Sequence, residues 1–224
     1  GGTVLYNGAL TSYSHTGRSP YTTYYYKAWS VGDAKAVAYS PGVTAQATTF
    51  ADGTERITFF EENWDGDLNE WYAAQTNQTN FWVIANATYS SPSYSAYITN
   101  NSSTVPNSYT TNRTSVSHIY TPVYFPPGNS YQLSFAWKNN GQATYDVLEV
   151  FLVNPNGGVD PTAGTAINQA YRVGGPYNGQ GTTWQTPTIN LNNDISDTVQ
   201  LLIFSWKNNN TTGNQPPAAI DNIS

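Results

Sequence analysis

Seven acids crowd into nineteen positions of a chain that is otherwise poor in charge: Asp52, Glu55, Glu61, Glu62, Asp65, Asp67 and Glu70. They are half of its fourteen acids. Such a cluster suits three chemistries. Two carboxylates flanking a glycosidic bond can serve as acid and base. Several together can chelate Ca²⁺, which takes about six to eight oxygens. Or they can solvate an ordinary turn.

The catalytic option finds little support elsewhere in the chain. The apolar segments "YQLSFAW" and "LLIFSW" carry no acid. Asp146 and Glu149 in "YDVLEVF" are three apart, which sends them to opposite faces of a strand. His15 and His118 are the only histidines, and no Gly-x-Ser-x-Gly elbow accompanies them. His118, within "SVSHIYTP", is expected on a strand facing solvent or in a loop. The sequence therefore reads as non-enzymatic, with no catalytic residue assigned.

Ion binding accounts for more. In "FFEENWD", period-two alternation puts Phe60, Glu62 and Trp64 on one face and Phe59, Glu61 and Asn63 on the other. A carboxylate on an aromatic face is costly unless it is paired or coordinated. Near the other end, "AAIDNIS" sets Asp221 in an apolar context with no base beside it. First and last strands of a sandwich are often neighbours, which would bring Glu62 and Asp221 together. Two such carboxylates without a cation raise one pKa, and Ca²⁺ removes that cost. Glu61, Asp67 and Glu70 read as a solvated turn.

The elements that must position these groups are strands. Tyr (18), Trp (7) and Phe (8) with abundant Thr favour extended chain, and Gly and Pro punctuate it. No stretch sustains helical apolar spacing, so the expected class is all-β. Cysteine is absent, which excludes disulfides and thiolate metal sites. Methionine is absent too, and predicts a processed product or a fragment. A net charge of −6 and scattered bases exclude a phosphate track, hence a nucleic-acid partner. No apolar run is long enough to insert in a membrane as a helix. Low charge with much Asn, Thr, Ser and Tyr is the composition of an extracellular surface.

Three segments emerge: 1–49, a linker at 50–57, and 58–224. In the first, Pro20-x-Thr22-x-Tyr24 leads into "YYYKAWSV". This resembles the tyrosine corner in the second half of a fibronectin type III domain, with Arg18 where that motif has Leu. Half a sandwich leaves a sheet face uncovered. It must dock on the remainder, be completed by another chain, or be a remnant of something longer, which raises self-association into an extracellular filament.

The third segment opens with "FFEENWDGDLNEWY", continues through "YTPVYFPPGNSYQLSFAWKNNG", "YDVLEVFLV" and "TWQTPTINL", and closes with "PPAAIDNIS". In that order these motifs resemble the choice-of-anchor and cleaved-adhesin, MAM-like jelly rolls of type IX-secreted bacterial surface proteins. The resemblance implies a jelly-roll β-sandwich at the cell surface with an adhesive or structural role. It also implies a structural calcium, carried to Glu62, Asp65 and Asp221, with Asp67 and Asn63 as weaker candidates. The echo of "FAWKNN" in "FSWKNN" fits either stacked neighbours in one sheet or independent core tryptophans. Tyrosines in "SYSAYITN", "YTPVYF" and "GGPYNGQGTTW" offer flat faces to carbohydrate, the partner of the alternative reading as an accessory binding domain. The sequence singles out no sugar-binding residue.

Overall fold

A computed structural model of the chain describes residues 2–9, 13–19, 22–31, 39–48, 57–66, 70–74, 78–128 and 130–224. The chain divides into two compact units, Gly1–Ile57 and Thr58–Ser224. In the first, β1 (Thr23–Ala28) and β2 (Val43–Thr48) pair antiparallel, with Thr23 opposite Thr48 and Ala28 opposite Val43. The Tyr24 hydroxyl accepts from the Ser19 amide at 3.1 Å, and the Arg18 guanidinium lies 5.5 Å from the Tyr24 ring centre. Pro20, the other half of the expected corner, lies outside the described residues.

The second unit is an all-β sandwich of the jelly-roll type. Its strands are β3 (Tyr72–Ala74), β4 (Phe81–Ala85), β5 (Ser95–Thr99), β6 (Ser115–Phe125), β7 (Tyr131–Ser134), β8 (Ala136–Lys138), β9 (Val147–Val153), β10 (Arg172–Tyr177), β11 (Thr188–Leu191), β12 (Thr198–Asn208) and β13 (Ala219–Asp221). One layer has the order β10-β9-β12-β6-β3. Its continuously apolar strand, β12, is central, with antiparallel partners on both sides. That burial on two faces is why "LLIFSW" lacks alternation.

The other layer is built from β4-β5-β13-β8 and the pair β11-β7. Reciprocal backbone bonds at 2.8 Å join Trp137 to Gln185, and others of the same length join Ser134 to Ser224. Strands β7 and β8 are thus one run interrupted at Phe135, flanked by 185–191 on one side and 219–224 on the other. Glu62 meets Ile223 through a third reciprocal pair, at 2.9 and 2.8 Å. The expected opening strand is reduced to this single bridge, because Trp64 takes a positive φ of 55° and turns the chain away.

Side chains from both layers fill the interior. Leu202, Phe204 and Trp206 of β12 meet Phe135, Trp137 and Ile220, and Phe204 packs edge-on to Phe135 at 5.0 Å. Each such fully buried Leu, Ile or Phe contributes roughly 1.5–3 kcal/mol. Trp137 and Trp206 belong to different layers and contact Tyr177 and Tyr109 respectively, so they are independent core residues. A smaller cluster of Phe151, Val153, Ile167 and Ile203 lies on the outer face of the first layer.

Two strands are absent from the sequence reading: the short β3 and β10. β10 carries Gly174, Gly175 and Pro176, which argue against a strand, yet it sits at a sheet edge where a missing donor and a bulged register are tolerated. No helix among the described residues is long and apolar enough to cross a membrane.

Candidate functional site

The alternation in "FFEENWD" holds in part: Phe60 and Trp64 pack on the core, Glu62 is 2% exposed and Glu61 is exposed, while Phe59 is half-exposed with its ring edge-on to Phe125 and Tyr131. The buried Glu62 carboxylate is met by neutral donors. Its Oε1 accepts from the Trp64 amide at 2.7 Å and its Oε2 from Trp71 Nε1 at 3.0 Å.

Asp221 is fully buried, and its surroundings follow from the backbone beside it. Asn222 adopts a positive φ of 48°, so strict alternation fails there. Ile220 and Ile223 both enter the core, while the Asp221 carboxylate turns to the 86–94 loop. Asp221 Oδ2 accepts from the amides of Ser90 at 2.6 Å and Ser91 at 3.0 Å, and Oδ1 from Asn222 at 2.8 Å. Asp65 Oδ1 accepts from the next two amides of that loop, Ser93 and Tyr94. The two aspartates thus clasp one loop from successive positions. Burial pushes the Asp221 pKa up against the pull of its three amides, and the Asp65 charge raises it further.

Neither Asp65 nor Asp221 has a cationic partner among the described residues. Nor do three carboxylates or imidazoles among those residues gather closely enough to hold a metal. The structure therefore brings Asp65 and Asp221 into electrostatic reach and leaves the Glu62 oxygens committed to the two tryptophans. Asn63 accepts from the Asp65 amide at 3.1 Å in a local turn, and Asp67 lies outside the described residues. The pair fits a divalent cation in charge. Carbonyl oxygens and water would have to complete a calcium shell.

The remaining buried ionisable groups have structural partners. Glu149 is bound by Arg172 at 2.9 Å and Lys207 at 3.1 Å. Asp146 accepts from the Tyr109 hydroxyl at 2.5 Å and the Gln142 amide at 3.0 Å, and burial followed by this bond drives the Tyr109 pKa up. As expected, Asp146 and Glu149 do not share a site. His118 corrects the sequence reading: it is on β6 but fully buried, beneath the loop that follows β9. Its Nε2 donates to Thr165 O at 2.9 Å, Nδ1 has no hydrogen-bond partner among the described residues, and burial lowers its pKa. The miss arose because β6 is covered on its outer face as well, which its own sequence does not disclose.

Of the candidate tyrosines, Tyr97 is core, with its hydroxyl donated to Val105 O at 2.7 Å. Tyr72 and Tyr120 stack at 5.5 Å on the outer face of the first layer. Tyr72 donates to Glu70 at 2.5 Å and Tyr124 to Asp197 at 2.7 Å, fixing both exposed rings. The segment "GGPYNGQGTTW" borders a cleft of about 300 Å³ lined by Trp137, Tyr177, Gln180, Gln185, Thr186 and Pro187. The signal that could have found it was the pairing of an aromatic with neutral amides in a glycine-rich loop.

No protein-family model and no curated protein matches the chain. Among solved structures it is similar to the CBM22-1 xylan-binding domain from Paenibacillus barcinonensis Xyn10C, at 10% identity and a TM-score of 0.42, covering 73% of this chain and 90% of that one. It is similar to the K2 cleaved adhesin domain of Lys-gingipain, at 14% identity and a TM-score of 0.39, covering 73% and 95%. A family 61 carbohydrate-binding module in complex with β-1,4-galactotriose matches at 13% identity and a TM-score of 0.37, covering 68% and 85%.

Proposed function

We propose that the chain is a non-catalytic, extracellular adhesion or display module, stabilised by calcium at Asp65 and Asp221. The observation that carries this reading is the clasp on the 86–94 loop, where two acids hold successive amides within electrostatic reach of each other and neither has a cationic partner among the described residues. A divalent cation there would offset their repulsion and lock the opening segment to the closing strand. The Glu62 bridge to Ile223 does the same through the backbone. The engaged state of the Glu62, Asp146 and Glu149 carboxylates supports a structural rather than a catalytic use of these buried acids.

Thermal unfolding with Ca²⁺ or with EDTA tests the proposal. The midpoint is expected to rise with Ca²⁺ concentration, since a ligand at a hundred times its Kd adds about 2.7 kcal/mol. An identical midpoint in both buffers would remove the calcium.

A second reading, as a carbohydrate-binding accessory domain, is favoured by the aromatic and amide lining of the edge cleft. We further propose that residues 1–49 are part of a fibronectin type III-like sandwich, supported by the bond from the Ser19 amide to Tyr24. Tyr25 is 77% exposed on that hairpin, as expected for a surface another strand would cover. Light scattering distinguishes a self-associating chain from a monomer.

A further inference from the structure

The cleft lies where the two layers part, between the end of β10 and the edge run 185–191. Trp137 and Tyr177 form its aromatic wall, their ring centres 4.8 Å apart and inclined by 43°. Tyr177 is braced from behind by Phe135 at 5.6 Å. The rim is equally fixed. Gln185 exchanges two backbone bonds with Trp137, and the Gln180 amide donates to Asn139 O at 2.9 Å. Asn139 in turn donates to Tyr177 O at 2.9 Å and to Asp146 O at 3.0 Å. Gly179 and Gly181 flank Gln180 at positive φ of 62° and 73°, the conformation that glycine adopts without strain.

Backbone bonds therefore hold Gln180 and Gln185, while their exposed side-chain amides have no hydrogen-bond partner among the described residues. Each amide offers an acceptor oxygen and a two-hydrogen donor. Among the described residues, no charged side chain lines the cleft. Lys138, next to Trp137 in the chain, holds its ammonium 5.2 Å from the Trp184 ring.

These features select a ligand chemistry. An anion would find no counter-charge, and an apolar molecule would strand two amides. A neutral polyol satisfies both walls: its C–H face lies on the tyrosine ring, and adjacent hydroxyls, each donor and acceptor, meet the amides. The volume is at the small end for ligand pockets and its mouth is at an edge, so it suits a short stretch of a longer chain. We propose that this cleft is a binding site for neutral sugar units of a polysaccharide, with Tyr177 as platform and Gln180 and Gln185 as the hydroxyl-reading groups. The proposal rests on the carbohydrate reading and assigns it a place.

The test is calorimetric titration of the full chain with xylohexaose, cellohexaose and mannohexaose, and with hexagalacturonate as the anionic control. At least one neutral oligosaccharide should bind, with an affinity indifferent to salt. The double variant Gln180→Ala/Gln185→Ala should weaken binding by about tenfold or more, equivalent to about 1.4 kcal/mol. Its unfolding midpoint should not change, because the amides make no internal bond. Two results overturn the site. If the glutamine variant binds as the parent does, while Tyr72→Ala/Tyr124→Ala abolishes binding, sugar is held on the outer tyrosine face. The carbohydrate reading then stands and the cleft assignment falls. If none of the neutral sugars binds, or if only hexagalacturonate binds in a salt-sensitive way, the neutral-sugar site falls; with no binding at all, the carbohydrate reading falls with it.

Discussion

Glu149 and Asp221 meet the same problem with opposite means. Both are carboxylates buried in strands of the sandwich. Glu149 lies between two cations, Arg172 and Lys207, on neighbouring strands β10 and β12. Asp221 has three backbone amides and, within electrostatic reach, a second acid. The first arrangement is complete within the chain. The second keeps two like charges close, which is the configuration a divalent ion relieves. Burial alone does not mark a binding group; what the group faces does.

The largest effect should come from dismantling the complete site. Arg172→Met/Lys207→Met leaves Glu149 buried and uncompensated. We expect a loss of roughly 3 kcal/mol, the low end for breaking a buried pair, because both cations are about one-third exposed. Denaturant unfolding measures it. Adding Glu149→Leu to that variant should restore most of the loss.

Next is the loss of a single neutral donor. Tyr109→Phe takes the hydroxyl from Asp146 and should cost about 1–3 kcal/mol, since the carboxylate stays buried with fewer bonds. A cost well below that range in the same unfolding assay would show that solvent replaces the hydroxyl.

A smaller and more diagnostic effect concerns Asp65. Asp65→Asn keeps an oxygen for the Ser93 and Tyr94 amides while removing the charge that raises the Asp221 pKa. In EDTA the variant should equal the parent or exceed it by up to about 1 kcal/mol, the size of one exposed charge interaction. In saturating Ca²⁺ it should fall below the parent. The same sign in both buffers would break the contrast with Glu149.

The subtlest prediction is in pH. The folded-state pKa of Asp221 is raised, so its contribution favours the fold below the usual aspartate range near about pH 4 and is lost as pH rises through the raised value. In EDTA, the stability difference between Asp221→Asn and the parent should shift in favour of the variant across that window. Asp65→Asn should shrink the parent's slope without abolishing it, because burial is its first cause.

Much of this site was legible from residue types. Alternation placed Glu62 inward, and the apolar company of Asp221 marked it as a buried acid. What could not be read was the partner of each. The Trp71 indole that meets Glu62 is nine residues away in the chain, and the amides that hold Asp221 belong to a loop about 130 residues earlier. The Gly-Gly-Pro of β10 hid a strand, since only its edge position excuses those residues. The outer cover over His118 comes from the loop after β9, whose own sequence shows turns and little else.

The place of residues 219–224 has a kinetic consequence. They lie inside their layer, between residues 96–97 and Glu62 on one side and the 134–138 run on the other. A layer completed by an inserted strand cannot be assembled by zipping successive hairpins, and its contacts span long sequence separations. Such topologies fold slowly for their size. Until that strand arrives, β5 and β8 stand apart with unpaired edges, the state most open to pairing with another chain.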